Sequence, residues 1–63
     1  KEMKKGDVFL TRLHLPGHLY TEVRVVNVSP TGKYVRVVSD FPSTEPTWIT
    51  RQSLEQIIIE ELR

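Results

Sequence analysis

The sequence predicts an all-β domain of five strands, organised around one long hairpin. Two valine-rich segments, 21–29 and 34–39, place apolar residues among charged and polar ones at a spacing near two, which is typical of half-buried strands. Between them, Pro30 favours the first corner of a type I turn, and Gly32 readily adopts a positive φ. The two segments are therefore predicted to pair as antiparallel strands.

The turn also predicts a register for this hairpin. It places Ser29 opposite Lys33, and antiparallel alternation then places Val25 opposite Val37 on one face. The other face carries a mixture of charged and apolar residues, namely Arg24, Val26, Val28, Tyr34, Arg36 and Val38. Because valines occur on both faces, we expect the hairpin to bulge and to give its halves to two sides of a small barrel. The alternative is that the second valine face is a binding or dimer surface.

The rest of the chain supplies the other strands and loops. The pattern predicts a first strand over 7–13, a loop over 14–18, a second strand from 20, a long loop over 40–46 and a short strand over 47–50. Segment 51–63 is ambiguous because its apolar residues fit one helical stripe, whereas the run Ile57–Ile59 favours a strand. We expect a short helical turn followed by a fifth strand, with a C-terminal helix as the alternative.

Length and composition bound the class of protein. The 63 residues allow one domain, over 1–63, and a chain of this size buries only about 60% of the surface that its unfolded form exposes. The absence of Cys excludes disulfides and fits a reducing compartment. No apolar run exceeds three residues, so we expect no signal peptide, no membrane span and a cytoplasmic location. The net charge of +1 is too small for a strongly driven polyanion binder.

No residue pattern indicates catalysis. Ser, His and Asp occur, but no motif brings them together as a nucleophile and base, and the three glycines are too far apart for a phosphate-binding loop. His14 and His18 flank a Pro-Gly pair without Cys or a clear third ligand, so no metal site is predicted. We therefore expect a protein that is not an enzyme and has no cofactor.

Three segments carry a resemblance that covers nearly the whole chain. Lys5-Gly6-Asp7 before the first strand, the tight 29–33 hairpin turn, and the stretch from Trp48 into Ile57 together resemble an SH3-like small barrel. Tudor and KOW-type modules share this outline, as does plasmid type II dihydrofolate reductase. The resemblance implies a five-stranded SH3-like barrel with a short helical turn before the last strand.

Each branch of the resemblance implies a different site. Tudor-like modules bind methylated Lys or Arg in an aromatic cage, for which this chain offers Tyr20, Phe41 and Trp48. KOW-type barrels bind RNA or its machinery through basic residues. The reductase family uses a Val-Gln-Ile-Tyr segment where this chain has Thr47-Trp48-Ile49-Thr50, and because only Ile49 matches, that activity is not expected here.

The sequence thus predicts a non-catalytic binding module. The candidate binding residues are three aromatic anchors and three arginines: Tyr20, Phe41, Trp48, Arg12, Arg24 and Arg36. The expected partner is a protein or peptide, or RNA or DNA, and not a membrane. The alternative is a self-associating component of a larger assembly, a homo-oligomer joined at the edge of its last strand.

Overall fold

The computed structural model describes residues 2–15, 18–39 and 45–63. Five strands and one helix follow each other along the chain: β1 (Val8–Leu15), β2 (His18–Val28), β3 (Tyr34–Ser39), β4 (Thr47–Thr50), α1 (Arg51–Ile57) and β5 (Ile58–Glu61). The predicted all-β class is confirmed, as is the short helical turn before the last strand. The alternative of a C-terminal helix is wrong, because the chain leaves α1 directly into β5.

The predicted strand bounds hold best in the second half of the chain. β3 and β4 have the predicted bounds, whereas β1 extends to Leu15 and β2 begins at His18. His14 and His18, predicted in a loop, therefore lie in strands. The long predicted loop falls partly outside the described residues, which exclude 40–44 and Phe41 with them, as well as 16–17.

All five strands form one antiparallel sheet in the order β4-β3-β2-β1-β5. The predicted closure into a barrel is wrong, because β4 and β5 do not pair with each other among the described residues. These two edge strands have four residues each, and α1 joins the end of one directly to the start of the other. The helix, which contacts β4 and β1, thus occupies the connection between the two edges.

The β2–β3 hairpin contains the bulge that its two-sided valine pattern predicts. Val25 pairs with Val37, as predicted, but Asn27 then pairs with Arg36, so β2 has one extra residue at this point. Beyond the bulge, Val28 lies opposite the buried Val35 and packs against the core. The bulge therefore moves Val28 from the face that the regular register predicts to the face of the core, as the expected bending of the hairpin requires.

The turn of this hairpin is one residue longer than predicted. The Ser29 N–H donates to the Tyr34 carbonyl at 2.9 Å, so Ser29 faces Tyr34 instead of Lys33. The Gly32 N–H donates to the Ser29 carbonyl at 2.9 Å, as in a type I turn starting at Ser29, and Gly32 has a φ of 75°. The bulge absorbs the one-residue difference, which explains why the predicted Val25–Val37 pair still forms.

The N-terminal segment is tied to the sheet through a second tight turn. The Asp7 N–H donates to the Lys4 carbonyl at 3.1 Å, the Asp7 carboxylate accepts from the Lys4 N–H at 2.8 Å, and Gly6 has a φ of 96°. The Gly6 N–H then donates to the Val25 carbonyl at 2.8 Å. These bonds hold the segment beside β2 and bring Met3, which is buried, into the core.

The core lies on one face of the sheet, here called the inner face, and beneath α1. Its buried apolar side chains come from the N-terminal segment, three strands and the helix: Met3, Phe9, Val23, Val25, Val35, Val37 and Leu54. Leu54 is the one buried residue of α1 and is fully inaccessible to solvent. The buried Thr11 hydroxyl donates to the Thr21 carbonyl at 3.1 Å, so its O–H group has a partner inside the core.

Candidate binding face

The strand pairings divide the candidate residues between the two faces of the sheet. Directly paired residues in an antiparallel sheet share a face, and residues two apart along a strand do too. Applied to the observed register, this rule places five of the six predicted binding residues on the face opposite the core, here called the outer face: Arg12, Tyr20, Arg24, Arg36 and Trp48. All five are exposed. The sixth, Phe41, lies outside the described residues.

Two of the predicted residues form a close cross-strand pair at the β3–β4 end of the sheet. Arg36 lies opposite Trp48. The neighbouring Arg51 N–H donates to the Lys33 carbonyl at 2.8 Å, and the alternation of an antiparallel ladder then makes Arg36–Trp48 a pair without mutual backbone hydrogen bonds. Such pairs bring side chains closest together, with Cβ atoms about 5 Å apart. The guanidinium and the indole therefore occupy adjoining space on the outer face.

Arg24 and Tyr34 extend this pair into a continuous surface. Arg24 is paired with Val38, which lies two residues from Arg36 along β3, and Tyr34 lies two residues from Arg36 in the other direction. Tyr34 and Trp48 are 49% and 47% exposed, so about half of each ring is available to a partner. We call Arg24, Tyr34, Arg36 and Trp48 the basic-aromatic face.

Tyr34 was not among the sequence-based candidates, although the sequence contained the signal for it. Tyr34 alternates with Arg36 along β3, and the predicted hairpin register already placed both on the same face as Arg24. Its exposure could not be read from the alternation alone, because the same face also carries the half-buried Val38. The missing information was which strands lie beside β3 and which of their side chains shield each position on this face.

One end of the basic-aromatic face carries two further cations. Lys33 and Arg51 are exposed and, with Tyr34, Thr50 and Gln52, line a cavity of about 340 Å³. Arg51 lies 3.6 Å from the Glu55 carboxylate through its Nε, but both side chains are nearly half exposed, so this ion pair is weak. The cavity is therefore positively charged on its Lys33 side.

Arg12 and Tyr20 lie together but away from the basic-aromatic face. They pair with each other across β1 and β2. Between this pair and Arg24 lie Leu10 of β1 and its two cross-strand partners, Glu22 of β2 and Glu60 of β5. We call these three residues the acidic row. This acidic row separates the two basic regions, so the three predicted arginines do not form one patch.

The aromatic cage of Tudor-like modules does not form from Tyr20 and Trp48. Trp48 lies across β3 from Asn27, which is seven residues from Tyr20 along β2. At about 3.3 Å per residue, this separation is roughly 23 Å. A cage requires rings within about 6 Å of one cation, so these two side chains cannot enclose the same group.

The opposite edge of the sheet is acidic. Glu60 faces outward beside Leu10, whereas Glu61 pairs with the buried Phe9 and Glu55 projects from α1. Glu55 and Glu61, together with Met3, Phe9 and Ile58, line a cavity of about 260 Å³. Carboxylates therefore cluster at this edge, which also carries two arginines, Arg12 on the neighbouring β1 and Arg63, whose backbone is hydrogen-bonded to Val8.

Within the described part of the chain, no group of three or more His, Cys, Asp or Glu side chains is placed to hold a metal ion. Over the same residues, no helix is long and apolar enough to cross a membrane.

Comparison with known proteins finds no family model, no curated protein and no solved structure that matches this chain.

Proposed function

We propose that this chain is a non-catalytic binding module that holds single-stranded nucleic acid on its basic-aromatic face. The observation that carries the proposal is the cross-strand pair of Arg36 and Trp48, flanked by Arg24 and Tyr34 on the same exposed face. Proteins that bind single strands without strong sequence preference combine cationic side chains for the phosphates with aromatic rings on which bases stack. This face offers both.

The SH3-like outline supports the same class of protein. Four strands, a short helical turn and a fifth strand follow one another in the order that SH3-like modules share, and β1 lies between β2 and β5. In this proposal the chain is an open member of that group of folds, with the exposed side of its sheet as the docking surface. Fold alone does not specify a partner, so the side chains carry the functional argument.

The geometry favours unpaired bases over a duplex. Tyr34 and Trp48 present their rings half-exposed on a sheet surface, where they are available for stacking, and bases in a duplex are already stacked on each other. The two rings lie on adjacent strands at diagonal positions, which are about 7–8 Å apart in a sheet. That spacing suits two neighbouring bases of a splayed single strand.

The charges predict a weak interaction with a moderate dependence on salt. Arg24, Lys33 and Arg36 are exposed cations on or beside the face, enough to neutralise about three phosphates. On a single strand, each neutralised phosphate contributes about −0.7 to the slope of log affinity against log salt concentration, so the expected slope is about −2. This moderate value is consistent with the net charge of +1.

Fluorescence anisotropy of a labelled single-stranded oligonucleotide, titrated with the protein at several salt concentrations, tests the proposal. Trp48→Leu should weaken binding about tenfold, because one stacked base contributes about 1–3 kcal/mol. Arg36→Gln should reduce the magnitude of the salt slope by about 0.7.

Two matched controls come from the other basic region of the outer face. Tyr20→Leu and Arg12→Gln remove the same kinds of group on the far side of the acidic row, and they should leave both affinity and slope unchanged. A protein that binds neither single-stranded nor duplex oligonucleotide at low salt would refute the proposal and point to a protein partner. Equal losses from Trp48→Leu and Tyr20→Leu would refute the assignment of the face.

A further inference from the structure

The open edge at β5 borders a cavity with an apolar floor. β5 pairs with β1, and no described strand pairs with its other side. On the inner face beside it, the cavity of about 260 Å³ is lined by Met3, Phe9 and Ile58. Met3 and Phe9 are buried, at 6% and 3% exposure, so the floor of this cavity is the edge of the hydrophobic core itself.

The rim of the cavity is acidic. Glu55 of α1 and Glu61 of β5 line it; the Glu55 side chain is 46% exposed, and its ion pair with Arg51 at 3.6 Å is weak enough for a bound cation to compete with it. An apolar floor beneath two carboxylates matches a side chain that has a long aliphatic stem and a cationic head, since the stem of Lys or Arg covers apolar surface while the head stays near solvent. Glu60 adds a third carboxylate on the outer face of the same strand.

The cavity lies where a strand added to the β5 edge would place one of its side chains. An extended segment added beside β5 places alternate side chains on the inner face, because side chains alternate along every strand. The inner-face residues of β5 next to such a segment are those that line the cavity, since Ile58 pairs with the buried Thr11 and Glu61 with Phe9. A side chain from the added strand therefore projects towards the cavity.

We propose that the β5 edge binds an extended basic segment of a partner protein, which adds as a strand and places one Lys or Arg side chain in this cavity. Backbone hydrogen bonds to the edge supply affinity and the cavity supplies selectivity, as in other cases of strand addition. β5 has only four residues, so the interface is small and the interaction transient. This site is independent of nucleic-acid binding, because the cavity opens on the inner face and the basic-aromatic face is on the outer one.

A second copy of the chain is a poorer occupant of this edge. Antiparallel pairing of β5 with β5 of another copy places Ile58 and Ile59 opposite Glu61 and Glu60, so the added strand brings further carboxylates to the rim and no Lys or Arg head. A foreign segment rich in Lys or Arg supplies that cationic head.

The probe is a short synthetic peptide of alternating Lys and Thr, added to isotope-labelled protein while amide and methyl resonances are followed by NMR. The shifts should concentrate at 58–61, Glu55 and the Met3 methyl group. A peptide with norleucine in place of Lys keeps most of the aliphatic stem but loses the charge, and it should bind more weakly. A peptide with Glu in place of Lys should not bind.

Variants of the rim complete the test. Glu55→Gln and Glu61→Gln should each weaken peptide binding about fivefold, whereas Glu22→Gln, in the middle of the sheet, should change it by less than about twofold. Circular dichroism of each variant checks that the fold is retained. The proposal is overturned if the Lys peptide leaves the 58–61 resonances unmoved, or if Glu22→Gln weakens binding as much as the rim variants. Resonances at 58–61 that shift on dilution without peptide would assign the edge to a second copy, which also overturns it.

Discussion

Replacing Leu54 by Ala tests the packing of the helix against the sheet. Leu54 is fully buried, is among the largest fully buried side chains of the described chain, and is the one buried residue of α1. Loss of this side chain removes the main apolar contact between the helix and the core. It leaves a cavity that the surrounding valines cannot fill without moving the sheet.

The size of the effect follows from the burial. A fully buried Leu→Ala substitution costs about 2.7–5 kcal/mol, and the free energy of unfolding of a 63-residue domain is about 3–9 kcal/mol at 0.05–0.15 kcal/mol per residue. Leu54→Ala should therefore remove about 30% of the stability or more. With a urea m-value near the low end of the range, about 1 kcal/mol per molar, the unfolding midpoint should fall by about 3–5 M.

Urea unfolding followed by far-ultraviolet circular dichroism measures this loss. Leu54→Met keeps most of the side-chain volume and should cost less than about 1.5 kcal/mol, which separates the cavity from other effects. Ile59→Ala is a surface control, because Ile59 is 44% exposed and its truncation should change stability little. A loss below about 1 kcal/mol for Leu54→Ala would refute the packing of α1 described above.

Two local predictions concern the backbone. Gly32 has a φ of 75°, and a Cβ atom at this position would meet no other atom within 4 Å. Gly32→Ala should therefore reduce the free energy of unfolding by about 1–2 kcal/mol through backbone strain alone, and Gly32→Asn should reduce it less. Thermal unfolding measures both variants, and equal stability of the Ala variant and the parent protein would contradict the turn. Thr50 caps α1 by accepting a hydrogen bond from the Ser53 N–H at 3.1 Å, so Thr50→Ala should cost about 1 kcal/mol. Thr50→Ser, which keeps the hydroxyl, should restore most of this in the same assay, and a loss common to both variants would argue against the cap.

Much of the fold could be read from the sequence because the signals are local. The valine spacing near two and the Pro30–Gly32 turn were sufficient to predict the β2–β3 hairpin and its Val25–Val37 pair. The bounds of β3 and β4 followed from the same kind of pattern. These features depend on residues that are close together in the chain, where backbone preference and side-chain alternation act directly.

The course of the C-terminal segment was open in the sequence because two periodicities overlap there. The helical stripe ends with α1 at Ile57, and the strand preference of the isoleucines takes over from Ile58. β1 decides the outcome, since it provides a partner for β5 while Leu54 fills the core beneath the helix. Neither condition can be seen in the segment itself.

The candidate binding residues were likewise only partly predictable from the sequence. The alternation of residues predicted that Arg24 and Arg36 share a face, which the strand register confirms. That Trp48 joins them, and that Arg12 and Tyr20 lie apart beyond Glu22, depends on which strands are neighbours in the sheet. The sequence by itself determined the number of strands, their alternation and the place of the hairpin turn, because these are properties of short stretches of backbone. Only the tertiary structure decided the position of the bulge, the open edge at β5 and the separation of the basic regions, because these arise from contacts between residues distant in the chain.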